Sequence, residues 1–258
     1  MTLLGDFINV TLLAILQGVA EFLPISSSGH LVIGQHVLGV RDAGLQLGVF
    51  LHAGTLVSVV LFYRNTFLRI LVDRDWRFVL KILVSALPAV LVYFIFRNAI
   101  ESVFEDARKV GALLMFTGVV LAGTRFIPRG NKDVSFLRAL WMGVMQSVAL
   151  LPGVSRSGMT LAAARTGLVD SEKSAEFSFL MSMPLILGGV LLEILKIFGG
   201  ETAGEAGLGW MLLLWGMLLA AVVGYVSLAI LIKALKGRWF WLFGPYCLVA
   251  GLATLLFL

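Results

Sequence analysis

The sequence predicts an all-α, polytopic membrane protein: one domain with six transmembrane spans and two re-entrant helix hairpins, arranged as an inverted-topology repeat. Three observations lead there. Hydrophobic residues make up 59% of the chain and charged residues 14%, with a mean hydropathy of +0.98, too apolar for a water-soluble domain. Apolar runs of about 18 to 25 residues recur, long enough to cross ~30 Å of hydrocarbon. The two halves of the chain also match each other at an offset of 129 residues.

The first run, 3–23, carries Gln17 and Glu21 four residues apart, hence on one helix face. Pro24 disfavours the helical conformation at Leu23 and closes that helix. Ser26, Ser27 and Ser28 are good N-caps for the short run 28–38. Full-length runs follow at 45–63, 78–97 and 110–127. The second half restarts with 135–151, breaks at Pro152, and resumes as the short run 157–167. Full-length runs at 174–197, 208–232 and 239–257 complete it. Runs 28–38 and 157–167 are too short to span, and each follows the polar break that ends its predecessor, so each pair reads as a re-entrant hairpin. The Gly-rich stretch 199–209 reads as an extramembrane loop. Trp76, Trp141, Trp210 and Trp239 sit near run ends as an aromatic belt.

The offset lays Gln17, Val19, Ala20, Ser26, Ser28 and Gly29 over Gln146, Val148, Ala149, Ser155, Ser157 and Gly158. Each repeat, 1–129 and 130–258, then holds one hairpin and three spans. A hairpin returns to its own side and three spans do not, so the second repeat is inverted relative to the first. The charges agree with that parity. Of 20 lysines and arginines, 13 fall on one side, 5 on the other (Arg41, Arg97, Arg108, Lys109, Lys196), and Lys81 and Arg156 lie within runs. The positive-inside rule puts the richer side in the cytoplasm and both termini outside. The first hairpin then enters from outside and the second from the cytoplasm.

A net charge of +5 and a pI near 9.6 suggest no nucleic-acid partner, because the basic residues lie between apolar runs rather than in one patch. The single cysteine, Cys247, excludes an intrachain disulfide, and Cys/His zinc spacing is absent. The first residues lack the basic n-region and A-x-A site of a signal peptide, so the first helix is expected to stay in the fold.

Two stretches carry chemistry. In Gln17–His30 a carboxylate, three serines and a histidine surround a helix break, with the free N–H groups of the next helix beside them; that suits an anion. In Leu151–Thr160 the break repeats with Arg156 at its tip, whose fork matches phosphate oxygens. An intramembrane arginine needs a partner, and Glu21 is the alternative to a phosphate. Ser155, Ser157 and Thr160 either donate to the same anion or cap the helix. Under the offset Ser27 stands opposite Arg156, Glu21 opposite Leu150, and His30 opposite Met159. One hairpin therefore brings acid, hydroxyls and imidazole, the other the cation: a set fit for phosphoryl transfer. His52 reads as packed within the bundle. The rival function is a polyprenyl-phosphate flippase or secondary transporter on the same inverted repeat.

At these residues the chain resembles the bacterial undecaprenyl-diphosphate phosphatases, the bacitracin-resistance phosphatases. The matching stretches are Gln17–His30, with [EQ]-x-x-x-E and P-x-S-S-S-G-H, and Pro152–Thr160, with P-G-x-S-R-S-G-x-T; Ala175–Pro184 is family-like as well. The resemblance covers essentially the whole chain. It implies a multi-pass protein of the bacterial plasma membrane that hydrolyses undecaprenyl diphosphate to undecaprenyl phosphate, with an outward-facing active site. It further implies Mg²⁺ or Ca²⁺ as cofactor and Glu21 as metal ligand or water activator. Ser27 is implied as nucleophile and His30 as acid/base, with the exchanged assignment open. Arg156 would grip the diphosphate with Gln17, Ser26, Ser28, Ser155, Ser157 and Thr160 in binding roles. The expected partners are a polyprenyl diphosphate and membrane lipids, with a homodimer left open. Many members carry glutamate where this chain has Gln17, so metal ligation rests mainly on Glu21.

Overall fold

The computed structural model describes residues 3–38, 44–104, 106–199 and 208–258. Among these residues eleven α-helices follow one another: α1 (Leu3–Ala20), α2 (Ser27–Leu38), α3 (Gly44–Phe62), α4 (Arg64–Val72), α5 (Trp76–Phe104), α6 (Ala107–Gly123), α7 (Phe136–Val148), α8 (Arg156–Thr166), α9 (Ser171–Phe198), α10 (Trp210–Gly237) and α11 (Phe243–Phe257). Among the described residues the one β-type pairing is an isolated bridge between Lys132 and Val169. Five helices, α5, α6, α9, α10 and α11, are long and apolar enough to cross a membrane, some with a flanking 3-10 turn. A sixth candidate is α3 with α4, bent by 66°. The protein is thus an all-helical, multi-pass membrane protein. Leu87, Leu91, Phe94 and Ile95 of α5 are each more than half exposed, an apolar surface that only lipid or protein covers.

Several elements differ from the sequence reading by a few residues, and three differences have a visible cause. Regular helix α1 ends at Ala20, yet Glu21 N still donates to Gln17 O at 2.9 Å and Leu23 N to Val19 O at 3.0 Å, so the helical turn runs on to Pro24. Helix α5 extends to Phe104 rather than stopping at 97. Non-helical torsions at Phe96 (φ −114°, ψ 16°) mark the expected end, and an Arg97–Glu101 ion pair at 2.8 Å carries the helix past it. Helix α4 lies between the runs 45–63 and 78–97, where the charges give no apolar run and the helix is pinned from outside: Thr66 Oγ1 and Arg69 Nη2 donate to Glu176 of α9 at 2.5 and 3.2 Å. The loop expected at 199–209 falls largely outside the described residues.

Helix α1 packs on α10, α7 on α5, α3 between α9 and α10, and α6 along α11. Between α6 and α11 the backbones nearly touch: a Cβ on Gly251 would sit 2.6 Å from Gly111 O, and one on Gly244 2.7 Å from Gly118 O. Small residues permit this approach where van der Waals packing, rather than water exclusion, holds helices together.

Basic loops meet at one end of the bundle. Lys236 pairs with Glu172, Lys173 with Asp133, and Arg129 donates to Leu235 O at 3.1 Å. Arg165 donates to Ile127 O at 3.0 Å and Arg138 to Gly167 O at 2.8 Å. Elsewhere, Leu258 borders a pocket with Gln35 and His36 of α2 and Asp106 and Arg108.

Candidate active site

The site forms where the turn after α1 meets the turn after α7. A Cβ on Gly29 would lie 2.9 Å from Gly153 Cα, so the two turns touch backbone to backbone. Gly153 has φ +96°, a conformation that side chains strain to adopt. Other helices fasten both turns. Thr117 of α6 donates to Gly153 O at 2.9 Å and accepts from Ser155 N at 3.1 Å. Cys247 of α11 donates Sγ–H to Pro24 O at 3.6 Å.

The two short helices start alike. Ser26 Oγ accepts from Gly29 N at 3.3 Å and Ser155 Oγ from Gly158 N at 3.1 Å, both as N-caps. Their hydroxyls lie near the next serine but one: 3.5 Å from Ser26 to Ser28, 3.3 Å from Ser155 to Ser157. Ser27 and Arg156 are the first residues of α2 and α8, so each stands at a positive helix end.

Glu21 joins the hairpins. Its Oε2 accepts from Ser27 Oγ at 2.6 Å and from Gln17 Nε2 at 3.1 Å. Its Oε1 receives Arg156 Nη2 in an ion pair across the two turns. The Glu21 side chain is 5% exposed and that of Arg156 19%. Burial at this level demands pairing, and the pair and the hydroxyl together supply it. A cavity of about 240 Å³ opens here, lined by Glu21, Ser27 and Ser28 of the first hairpin and Gln146, Ser155, Arg156 and Ser157 of the second. Apolar walls come from Phe104 and from Leu185, Ile186 and Val190 of α9.

The remaining expected residues stand around this cavity rather than in it. Gln17 backs Glu21. Ser26 holds its turn at φ 71°, a left-handed torsion kept by two bonds from His30 to Ser26 O, from N at 3.1 Å and Nδ1 at 3.0 Å. Because a carbonyl only accepts, Nδ1 of His30 carries the proton. Its Nε2 then accepts from Tyr246 O–H at 2.8 Å, so both ring nitrogens are engaged. Thr160 Oγ1 meets Arg156 O at 2.9 Å and Ser178 Oγ at 2.6 Å, a helix-to-helix tie.

Two residues that the sequence reading left aside line the cavity: His52 and Gln146. His52 Nδ1 donates to Gly48 O at 2.9 Å, which leaves the Nε2 lone pair without a partner among the described residues. A lone histidine in an apolar run carries no local signal. For Gln146 the signal existed: it stands opposite Gln17 at the 129-residue offset.

The donor set does not suit a divalent cation held by the protein alone. Glu21 is the one acid of the cavity, both its oxygens already accept hydrogen bonds, and its nearest polar companion from α1 is the amide of Gln17. Among the described residues no group of three His, Cys, Asp or Glu side chains is placed to bind a metal.

The family model for the bacitracin resistance protein BacA matches residues 10–253. The chain belongs to this family. Its BacA-type relatives include an undecaprenyl-diphosphatase of Desulforapulum autotrophicum, 37% identical over 268 residues that cover 95% of each chain. Another, undecaprenyl-diphosphatase 3 of Bacillus cereus, is 33% identical over 254 residues covering 97% of each. The undecaprenyl-diphosphatase of Desulfosudis oleivorans is 37% identical over 271 residues, 96% of this chain and 97% of its own.

Proposed function

We propose that this chain is an integral membrane phosphatase that hydrolyses undecaprenyl diphosphate to undecaprenyl phosphate and inorganic phosphate. The observation that carries the reading is one carboxylate serving two groups: Glu21 accepts the Ser27 hydroxyl on one oxygen and the Arg156 guanidinium on the other. Such a hydroxyl is an activated nucleophile, and its cation is placed to meet an incoming phosphate. BacA membership and the names of near full-length relatives support the same activity.

The chemistry follows from the contacts. Ser27 Oγ attacks the terminal phosphorus while its proton passes to Glu21 Oε2. The bond from that phosphorus to the bridging oxygen breaks, and undecaprenyl phosphate leaves with the electron pair. Arg156 and the N-termini of α2 and α8 neutralise charge on the phosphoryl oxygens. Water then displaces Ser27 from the seryl phosphate, and Glu21 returns the proton. His30 acts on this set through the backbone, since it holds the carbonyl of Ser26, next to the nucleophile. A divalent cation, Mg²⁺ or Ca²⁺, would arrive with the substrate, would find in Glu21 the one acidic side chain of the cavity, and would supply positive charge against the diphosphate. The prenyl chain leaves between α5 and α9, along Phe104, Leu185, Ile186 and Val190.

The architecture we infer is six spans plus two re-entrant hairpins in inverted repeats 1–129 and 130–258. Matched packings support it: at the 129-residue offset, α1 on α10 and α2 on α1 correspond to α7 on α5 and α8 on α7, the first packing of each pair crossing between the repeats. We place the basic end in the cytoplasm. The cavity is lined by Phe104, at the far end of α5 from its basic start, and by Val190, far along α9 from Lys173; both support an outward-facing site.

The test is released phosphate from undecaprenyl diphosphate in detergent micelles, where no transport takes place. Wild-type turnover that Ser27→Ala abolishes supports the reading. Absence of phosphate release from well-folded wild type sinks it.

A further inference from the structure

Among the described residues, Gln146 is the buried side chain with the most unpaired polar atoms. It is 1% exposed and lines the cavity of Glu21, Ser27 and Arg156, and neither Nε2 nor Oε1 has a hydrogen-bond partner. Since both atoms are bare, exchanging the amide's O and N changes nothing. A buried polar group left unpaired costs about 1–3 kcal/mol, so such groups are rare unless a ligand or water completes them. Arg156 Nη1 is equally bare and buried. Gln17, at the matching place in the other hairpin, differs: its Nε2 is committed to Glu21.

Two side chains that line one cavity therefore carry, between them, two unpaired donor nitrogens and one unpaired acceptor oxygen. An ionised phosphoryl group brings acceptors only, so it satisfies Arg156 Nη1 and Gln146 Nε2 but offers no proton to Oε1. Water does. We propose that Gln146 binds the terminal phosphoryl group through Nε2 and holds, through Oε1, the water that hydrolyses the seryl phosphate. This rests on the phosphatase reading above. The amide orients that water and takes no proton from it. The water oxygen bonds to phosphorus, the bond from phosphorus to Ser27 Oγ breaks, and Oγ recovers the proton held by Glu21. Both water protons leave with inorganic phosphate.

Gln146 then matters more to the second half-reaction than to the first, which a merely structural or substrate-holding role does not reproduce. The test is rapid-quench turnover of prenyl diphosphate labelled in its terminal phosphate, with wild type, Gln146→Leu, and Gln146→Leu combined with Ser27→Ala. Gln146→Leu is expected to give a burst of prenyl monophosphate and to retain label on the protein. Phosphate release then slows on the order of 10²-fold, the effect of losing alignment of a reacting group. The double variant retains no label. Gln146→Leu is also expected to melt no lower than wild type, because it removes two unpaired polar atoms. Equal slowing of both half-reactions with no retained label overturns the inference, and so does unchanged phosphate release. A wild type that releases no phosphate overturns the phosphatase reading itself, and this inference with it.

Discussion

Ser27 Oγ lies 2.6 Å from Glu21 Oε2, while Arg156 holds the other oxygen of the same carboxylate. One side chain therefore polarises the hydroxyl and neutralises the cation, and both hairpins depend on it. Glu21→Gln is expected to abolish turnover. It also leaves Arg156 buried without a counter-charge, which lowers stability by about 3 kcal/mol. Phosphate release and thermal melting in detergent check the two effects; turnover within tenfold of wild type would show that the carboxylate takes no proton.

The serines separate by role. Ser27→Ala is expected to reduce kcat on the order of 10³-fold or more at unchanged melting temperature, as for loss of a nucleophile. Ser26→Ala removes an N-cap worth about 1 kcal/mol and keeps most activity. The reverse ranking would make Ser27 a structural residue.

His30 and Tyr246 bond across 216 residues, and their rings stack with centroids 5.6 Å apart. Tyr246→Phe leaves His30 Nε2 buried without a donor, an expected loss of about 1 kcal/mol. A double-mutant cycle with His30→Ala checks it: the expected coupling is at least about 0.5 kcal/mol, and additive effects would show the bond to be idle.

Between the basic loops, Lys173 donates to Asp133 and holds its carboxyl below the usual carboxylate range, by the hydrogen bond first and by charge second. A depressed carboxyl stabilises the fold above its unfolded value, about 4, and that contribution disappears as pH falls through the folded value. Asp133→Asn should thus melt below wild type near neutral pH and converge with it in acid. A gap independent of pH contradicts this assignment. The pair is exposed, so the gap is small.

Topology is tested by labelling. Cysteine at Asn131 is expected to react only from the cytoplasm, and cysteine at Gly204, outside the described residues, only from the outer face. Reaction of both from one side would overturn the inverted arrangement.

What was legible in the sequence was local. The Gln17–Glu21 spacing, the Pro24 break and the two serine caps follow from helix geometry, and each appears at its residue. The Glu21–Arg156 contact was one of two readings of an intramembrane arginine; the structure has the pair and also a second, bare nitrogen, Nη1. Helix α4 was hidden because Glu176, its anchor, lies more than a hundred residues on. Tyr246 was unreadable for the same reason, and with it the engagement of His30 Nε2. His52 was missed because a single polar residue in an apolar run looks the same whether it faces a neighbour or a cavity, whereas Gln146 was marked by its place opposite Gln17 in the repeat.

The contact of Gly29 with Gly153 sets a mechanical limit on the enzyme. Spacing between the Ser27 hydroxyl and the Arg156 guanidinium is limited by two backbones in touch as well as by the reach of the side chains. As long as that stop stays closed, a tilt of the surrounding spans leaves the Ser27 hydroxyl and the Arg156 guanidinium to move together. One added methyl at Gly29 would stand 2.9 Å from Gly153 Cα, a backbone atom that has to give way, so it acts as a wedge between the turns that carry Glu21 and Arg156.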